Sequence, residues 1–236
     1  MSTPTTPELS AVTQDYLKVV WSAREWSTQP VTTKMLATRL GVGASTVSET
    51  VRRLADSGLV THQPYGAVEL TPDGERHALA VVRRHRLIET FLVEVLGYGW
   101  DEVHDEAEVL EHAVSDLMLD RIDALLGHPT RDPHGDPIPT ASGFVPRPAA
   151  IRLSELDAGA CAVVARISDS DPDVLRYLAE LGLGLDAEVC VHERREYAGT
   201  MAITWGSDAS PVHLGLPAAS RVWVVPAPLA TDPAPV

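Results

Sequence analysis

The chain has 236 residues, enough for one large domain or two to three small ones at about 100–200 residues each. A 44% hydrophobic share supports a buried core, and no stretch reaches the ~18 apolar residues that a bilayer-spanning helix needs. The opening MSTPTTPELS lacks the basic start and apolar run of a signal peptide, and two cysteines, Cys161 and Cys190, are too few to staple a fold of this size. The expectation is a cytoplasmic protein with reduced thiols; a membrane protein, a disulfide scaffold and a disordered chain are excluded.

The net charge of −14 is unevenly spread. Residues 1–70 are neutral, residues 71–127 carry −8 and residues 128–236 carry −6. The first segment can therefore meet a phosphate backbone even though the whole chain is acidic.

In chain order, residues 8–26 place Leu9, Val12, Tyr16, Val19 and Val20 on one helical stripe. Residues 32–40 read as a short helix capped by Thr32 or Thr33, Gly41-Val42-Gly43 as a turn, and residues 45–57 as a third helix stopped by Gly58. LVTHQPYGAVEL (59–70) reads as two strands around Pro64-Tyr65-Gly66. Helix, helix, turn, helix and hairpin make a winged helix-turn-helix. Thr71-Pro72-Asp73-Gly74-Glu75 then starts a long helix to about Leu96, followed by helices at 101–114 and 115–127. The Pro- and Gly-dense segment 127–148 reads as a linker. Beyond it, strands at 162–167, 187–194, 200–205 and 221–226, with a helix at 171–183, fit a small antiparallel barrel or a sandwich. The fold class is mainly α with a small β part.

Within residues 37–54, Ala37, Leu40, Val47, Val51 and Leu54 can close the core of two crossing helices. Ser45, Thr46, Ser48 and Thr50 are read on the opposite face, where hydroxyls and methyls reach base edges in a major groove. Arg52 and Arg53 suit phosphates, which position without specifying, and Tyr65 at the hairpin tip suits the adjacent backbone. A winged helix used for protein contacts alone would give this hydroxyl-rich face no purpose, so double-stranded DNA is the expected partner.

The second informative segment carries His85 and Glu89 at i and i+4, and His104, Glu108, Glu111 and His112 at i, i+4, i+7 and i+8. Each set forms one stripe where an amphipathic helix should be apolar. Facing stripes would crowd carboxylates whose charge a divalent cation neutralises, and imidazole plus carboxylate suits Mn²⁺, Fe²⁺, Co²⁺ or Zn²⁺. Asp101, Glu102, Asp105 and Glu106 lie off the stripe and read as a solvated acidic face. His62, His77, His128, His134, His192 and His213 lack helical partners and read as ordinary histidines. Glu108-Val-Leu-Glu111-His112 is superficially similar to the H-x-x-E-H hydrolase motif, but Glu stands where the first zinc-binding His is required. An enzyme, and a small-molecule substrate, are therefore not expected.

Taken together, the wing ending in ELTPDG, then RRHRLIETFL, VHDEAEVLEHAVSD and DPHGDPIP, resemble the diphtheria-toxin-repressor family, strongly over residues 8–140 and weakly over 150–236. Within the family the chain looks most like the three-domain manganese transport regulators. The resemblance implies a winged-helix DNA-binding domain at 1–71, a helical metal-binding and dimerisation domain at 72–140, a linker at 141–149 and an SH3-like barrel at 150–236. It implies a homodimeric repressor that binds palindromic operator DNA, with half-sites about one turn (~34 Å) apart, and controls metal-uptake genes. It implies two metal sites per subunit: His85, Glu89 and His104 completed by Asp171, and Glu108, Glu111 and His112 completed by Asp15. Iron-sensing members resemble one another in having Cys at position 108 and Met at position 15. This chain has oxygen donors at both, which suits Mn²⁺; Fe²⁺ is the alternative, and Co²⁺ or Zn²⁺ could substitute in vitro. Lys18 stands where some two-domain manganese regulators carry another acid, so a binuclear site of their kind is not implied. Val109, Val114, Leu117 and Leu125 are expected along the dimer seam.

Overall fold

The computed structural model describes residues 9–63, 66–206 and 210–227. They fall into two compact units: Met1–Ile88 with Glu108–Ala124 and Ile138–Val145, and Glu89–Ala107 with Leu125–Pro137 and Pro146–Val236. Among the described residues no helix is long and apolar enough to cross a membrane.

In the first unit, α1 (Ala11–Glu25) starts at Ser10, whose hydroxyl accepts from the Thr13 amide. Helix α2 (Thr33–Leu40) is capped by Thr32 and stops at Gly41 in the left-handed conformation. Helix α3 (Ala44–Asp56) follows, then the wing of β1 (Val60–His62) and β2 (Val68–Leu70), paired antiparallel. Leu17, Leu36, Val47, Val51 and Val68 are fully buried in one core shared by these elements, each contributing about 1.5–3 kcal/mol. The long helix α4 (Pro72–Leu96) begins where Thr71 caps the Gly74 amide. A Cβ on Gly74 would meet the Leu59 carbonyl oxygen at 1.9 Å, so only glycine lets this helix start against the wing. Helix α5 (Val103–Leu110) is shorter than its stripe suggests, and Glu111 and His112 occupy the turn that follows it. Helix α6 spans Asp116–Leu125.

In the second unit a six-stranded antiparallel sheet has the order β3-β8-β4-β5-β6-β7. Its strands are β3 (Ile151–Arg152), β4 (Cys161–Ile167), β5 (Glu188–Arg195), β6 (Thr200–Trp205), β7 (Val212–Gly215) and β8 (Val222–Pro226). Alternate residues such as Val164, Val189, Val191, Met201, Ile203 and Val224 fill its core. Irregular register at Val164/Arg166 and Val191/Glu193 bends the sheet as a barrel requires. Helix α7 (Pro172–Glu180) crosses between β4 and β5 and buries Leu175 and Leu178; a short α8 (Leu216–Ala219) precedes β8. The architecture is a winged helix-turn-helix, a helical middle and an SH3-like β domain.

The structure departs from the sequence expectation at the cysteines and at segment 127–148. Cys161 and Cys190 are not reduced thiols: they form a disulfide, because β4 and β5 pair antiparallel with these two residues directly opposite, Cα atoms 4.0 Å apart. The segment 127–148 is not a plain linker. Asp132, His134, Asp136 and Ile138 are buried, and Asp132 Oδ1 accepts from the amides of His134 and Asp136 in a tight turn.

Candidate metal centres and nucleic-acid interface

In the first unit, α1 presents Asp15 and the turn after α5 presents Glu111 and His112, with donor atoms from the three within 4.8 Å of one another. His112 Nε2 lies 2.8 Å from Asp15 Oδ1, and its Nδ1 faces Gln14 Oε1 at 2.9 Å. The Glu111 carboxylate is buried and both its oxygens are engaged. Oε1 accepts from Lys18 Nζ at 2.6 Å, and Oε2 is 2.6 Å from His85 Nδ1. Lys18 Nζ also donates to Glu108 Oε1 at 2.7 Å. Burial alone would push the Glu111 carboxyl up, but the hydrogen bond and charge of His85 and the charge of Lys18 outweigh it and hold it below the usual range. For Asp15 burial wins, so its carboxyl is raised despite His112 and Lys18. Burial works against the Lys18 ammonium, yet Glu111 and Glu108 hold its pKa above the ordinary lysine value.

In the second unit, Glu89, His134 and Asp169 form another cluster whose donor atoms lie within 4.8 Å of one another. His104 Nδ1 lies 3.4 Å from both Glu89 Oε1 and Asp169 Oδ2. His134 is 1% exposed. Its Nε2 donates to the Trp100 carbonyl at 2.6 Å, which leaves Nδ1 buried and without a hydrogen-bond partner. A ring nitrogen fixed by a carbonyl on its far side and facing two carboxylates is oriented as a metal ligand. Burial opposes charge on this imidazole, but Asp132, Glu89 and Asp169 raise its pKa nonetheless. A proton or a metal ion answers the same demand for positive charge at Nδ1.

The turn that carries His134 is set by Gly135, at φ +90°, where a Cβ would meet the Ala165 carbonyl oxygen at 2.1 Å. The His134 carbonyl in turn accepts from the Ile167 amide at 2.8 Å. Spacing alone puts His134 among the ordinary histidines because it has no partner at helical intervals; its place in DPHGDP is the signal that could have found it. Asp171 does not join Glu89 and His104. It caps α7, accepting from the Asp173 and Val174 amides. Asp169, two residues earlier, takes the position expected of it, because Pro172 fixes the helix start and makes Asp171 the cap. His85, expected with Glu89 and His104, also lies against Glu111, its Nδ1 2.6 Å from Glu111 Oε2.

On α3, Ser45, Thr46, Ser48, Arg52 and Arg53 are exposed. Ser48 donates back to the Ala44 carbonyl at 2.9 Å. Thr50 departs from the expectation: it is 4% exposed and accepts from Arg53 at 3.2 Å. It lies three residues after Val47 and four before Leu54, on the packed stripe rather than the hydroxyl face. Tyr65 lies outside the described residues.

Three family models match the chain. The iron-dependent repressor N-terminal DNA-binding domain matches residues 8–68, the iron-dependent repressor metal-binding and dimerisation domain residues 71–140, and the FeoA domain residues 151–226. The iron-dependent repressor IdeR of Mycobacterium tuberculosis is 36% identical over 196 residues, which is 78% of this chain and 85% of that protein. Among solved structures, a manganese-dependent transcriptional repressor in complex with manganese is 59% identical, with a TM-score of 0.88 over 91% of this chain and all of that one. ScaR with bound Cd²⁺ is 31% identical, with a TM-score of 0.77 over 90% of this chain and 98% of that one. With winged helix, helical segment and SH3-like domain each matched in order, the chain belongs to the iron-dependent repressor family.

Proposed function

We propose that the chain is a manganese-activated transcriptional repressor that binds palindromic operator DNA as a homodimer and controls metal-uptake genes. The observation that carries the choice of metal is the donor set. Asp15, Glu111 and His112 bring oxygen and nitrogen donors within 4.8 Å of one another, Glu108 is tied to Glu111 through Lys18, and both cysteines are bound to each other. Hard oxygen donors suit Mn²⁺, the weakest binder of the divalent series, so the site must select by ligand type and shape.

Two centres per subunit are proposed. Asp15, Glu108, Glu111 and His112 would hold one ion; Glu89, His104, His134 and Asp169 would hold the other. A bound divalent ion supplies charge that lets carboxylates from separate elements stand together. Asp15 then ties α1 of the winged helix to the turn that carries His112. Since α1 packs in the same core as α3, the hold on Asp15 bears on the placement of Ser45, Thr46, Ser48, Arg52 and Arg53. The coupling is reciprocal, so operator DNA must raise metal affinity by the factor by which metal raises DNA affinity. Val109 and Leu117 are large, apolar and exposed, which supports a dimer seam on this face.

The test is operator binding by metal-free protein titrated anaerobically with Mn²⁺, Fe²⁺, Co²⁺ and Zn²⁺, in wild type and Glu108→Cys. Wild type should respond to Mn²⁺, and the thiolate variant should need more Mn²⁺ and less Fe²⁺ or Co²⁺. A wild-type response to Fe²⁺ in preference to Mn²⁺ would make the chain an iron sensor, like the relative from Mycobacterium tuberculosis is by name.

A further inference from the structure

The first metal cluster already contains a cation. Lys18 stands three residues after Asp15 on α1, so both side chains leave the same helix face. Its Nζ lies 2.6 Å from Glu111 Oε1 and 2.7 Å from Glu108 Oε1, with the side chain 9% exposed. An ammonium placed this deep is held there by charge, since burying it unpaired is costly. Asp15, Glu108 and Glu111 together carry three negative charges. With the neighbouring imidazoles of His85 and His112 neutral, as metal loading requires of a ligating histidine, one ammonium leaves two negative charges, which a single divalent ion balances. A second divalent ion would leave the cluster with an excess of positive charge in a partly buried site.

We propose that Lys18 is a tethered cation of this centre. It stands in for the ion on Glu108 and Glu111 in the metal-free protein, competes with the ion for Glu111, and confines the cluster to one divalent ion. Lys18 thereby sets the metal concentration at which the protein switches, without being a ligand. The proposal rests on the reading of Asp15, Glu108, Glu111 and His112 as a metal centre.

The experiment measures Mn²⁺ stoichiometry and affinity by calorimetry, in an Asp169→Ala background that weakens binding at the other cluster by on the order of 10–100-fold, so that the two sites titrate apart. Wild type at position 18 is compared there with Lys18→Met, Lys18→Glu and Lys18→Arg. Lys18→Met keeps the length and loses the charge; it should bind Mn²⁺ at least about tenfold more tightly at the first cluster. Lys18→Glu should take up a second equivalent. Lys18→Arg keeps the charge and should keep one equivalent at near wild-type affinity. Thermal unfolding in excess chelator gives a readout that needs no metal: Lys18→Met should melt on the order of 10 °C lower than wild type, and Lys18→Arg should recover most of the loss. Unchanged or weaker Mn²⁺ binding by Lys18→Met overturns the proposal, as does equal stability of metal-free Lys18→Met and wild type. A merely structural lysine would lower stability without raising affinity. Absence of Mn²⁺ binding at this cluster in the Asp169→Ala protein with Lys18 intact would instead overturn the metal-centre reading, and the chelator measurement would still decide whether Lys18 neutralises the carboxylates.

Discussion

His112 Nε2 and Asp15 Oδ1 are 2.8 Å apart although 97 residues separate them in sequence. One belongs to the turn after α5 and the other to the first helix of the winged domain, so this pair is where the proposed metal centre meets the DNA-binding fold. Asp15→Ala should leave folding intact, because the side chain is partly exposed and its loss opens no apolar cavity. It should cut Mn²⁺ affinity at this centre by on the order of 10–100-fold or more and leave operator binding near its metal-free level. Calorimetry and operator titration on the same sample check both; normal Mn²⁺-stimulated binding would break the proposed link.

Asp169 and Asp171 make a matched pair of controls. Asp169→Ala should weaken metal binding at the Glu89 and His134 cluster by on the order of 10–100-fold. Asp171→Ala should leave metal binding alone and cost about 1 kcal/mol of stability through removal of the α7 cap. Metal stoichiometry together with thermal unfolding separates the two, and the reverse pattern would return Asp171 to the site.

In the proposed DNA interface the face of α3 divides by role. Arg52→Ala with Arg53→Ala should weaken binding to all DNA sequences alike and reduce the salt slope by about one for each phosphate that is no longer neutralised. Thr46→Ala should reduce the discrimination between operator and random DNA. Thr50→Val should change neither, since its hydroxyl is buried against Arg53. Fluorescence anisotropy over a range of salt concentrations distinguishes the three behaviours.

The disulfide closes a loop with a sequence separation of 29, worth about 3–4 kcal/mol in the chain-entropy account. A reductant, or Cys161→Ala with Cys190→Ala, should lower the unfolding temperature of the SH3-like part. Alkylation of native, unreduced protein should label neither cysteine; rapid double labelling would show free thiols.

Helical spacing makes much of the first centre legible. Glu108, Glu111 and His112 repeat at intervals of a helical turn, and the i, i+4 pair His85 and Glu89 stands out in the same way. The second centre is harder to read because its donors do not share an element. His134 comes from an irregular turn and Asp169 from the loop after β4, so no period links them. The choice between Asp171 and Asp169 turns on capping, which proximity to a metal motif does not reveal. Cys161 and Cys190 are brought together by strand register alone, a property of pairing rather than of spacing. Thr50 shows the reverse limit: a polar residue on a polar-looking helix still faces inward when the period puts it there.

The backbone bond between the His134 carbonyl and the Ile167 amide makes the end of β4 a ruler for the second cluster. Asp169 lies two residues beyond Ile167, so both donors are measured from the same rung of the ladder. Their separation is then a property of chain length, not of side-chain choice. One residue inserted between Ile167 and Asp169 should abolish this centre with every donor still present. Gly135→Ala, which touches no donor, should damage it nearly as much by lifting the turn away from Ala165. Sensitivity to such silent changes of spacing would mark the cluster as a feature of the β domain's framework, so that gaining or losing it requires a change of length rather than of ligand.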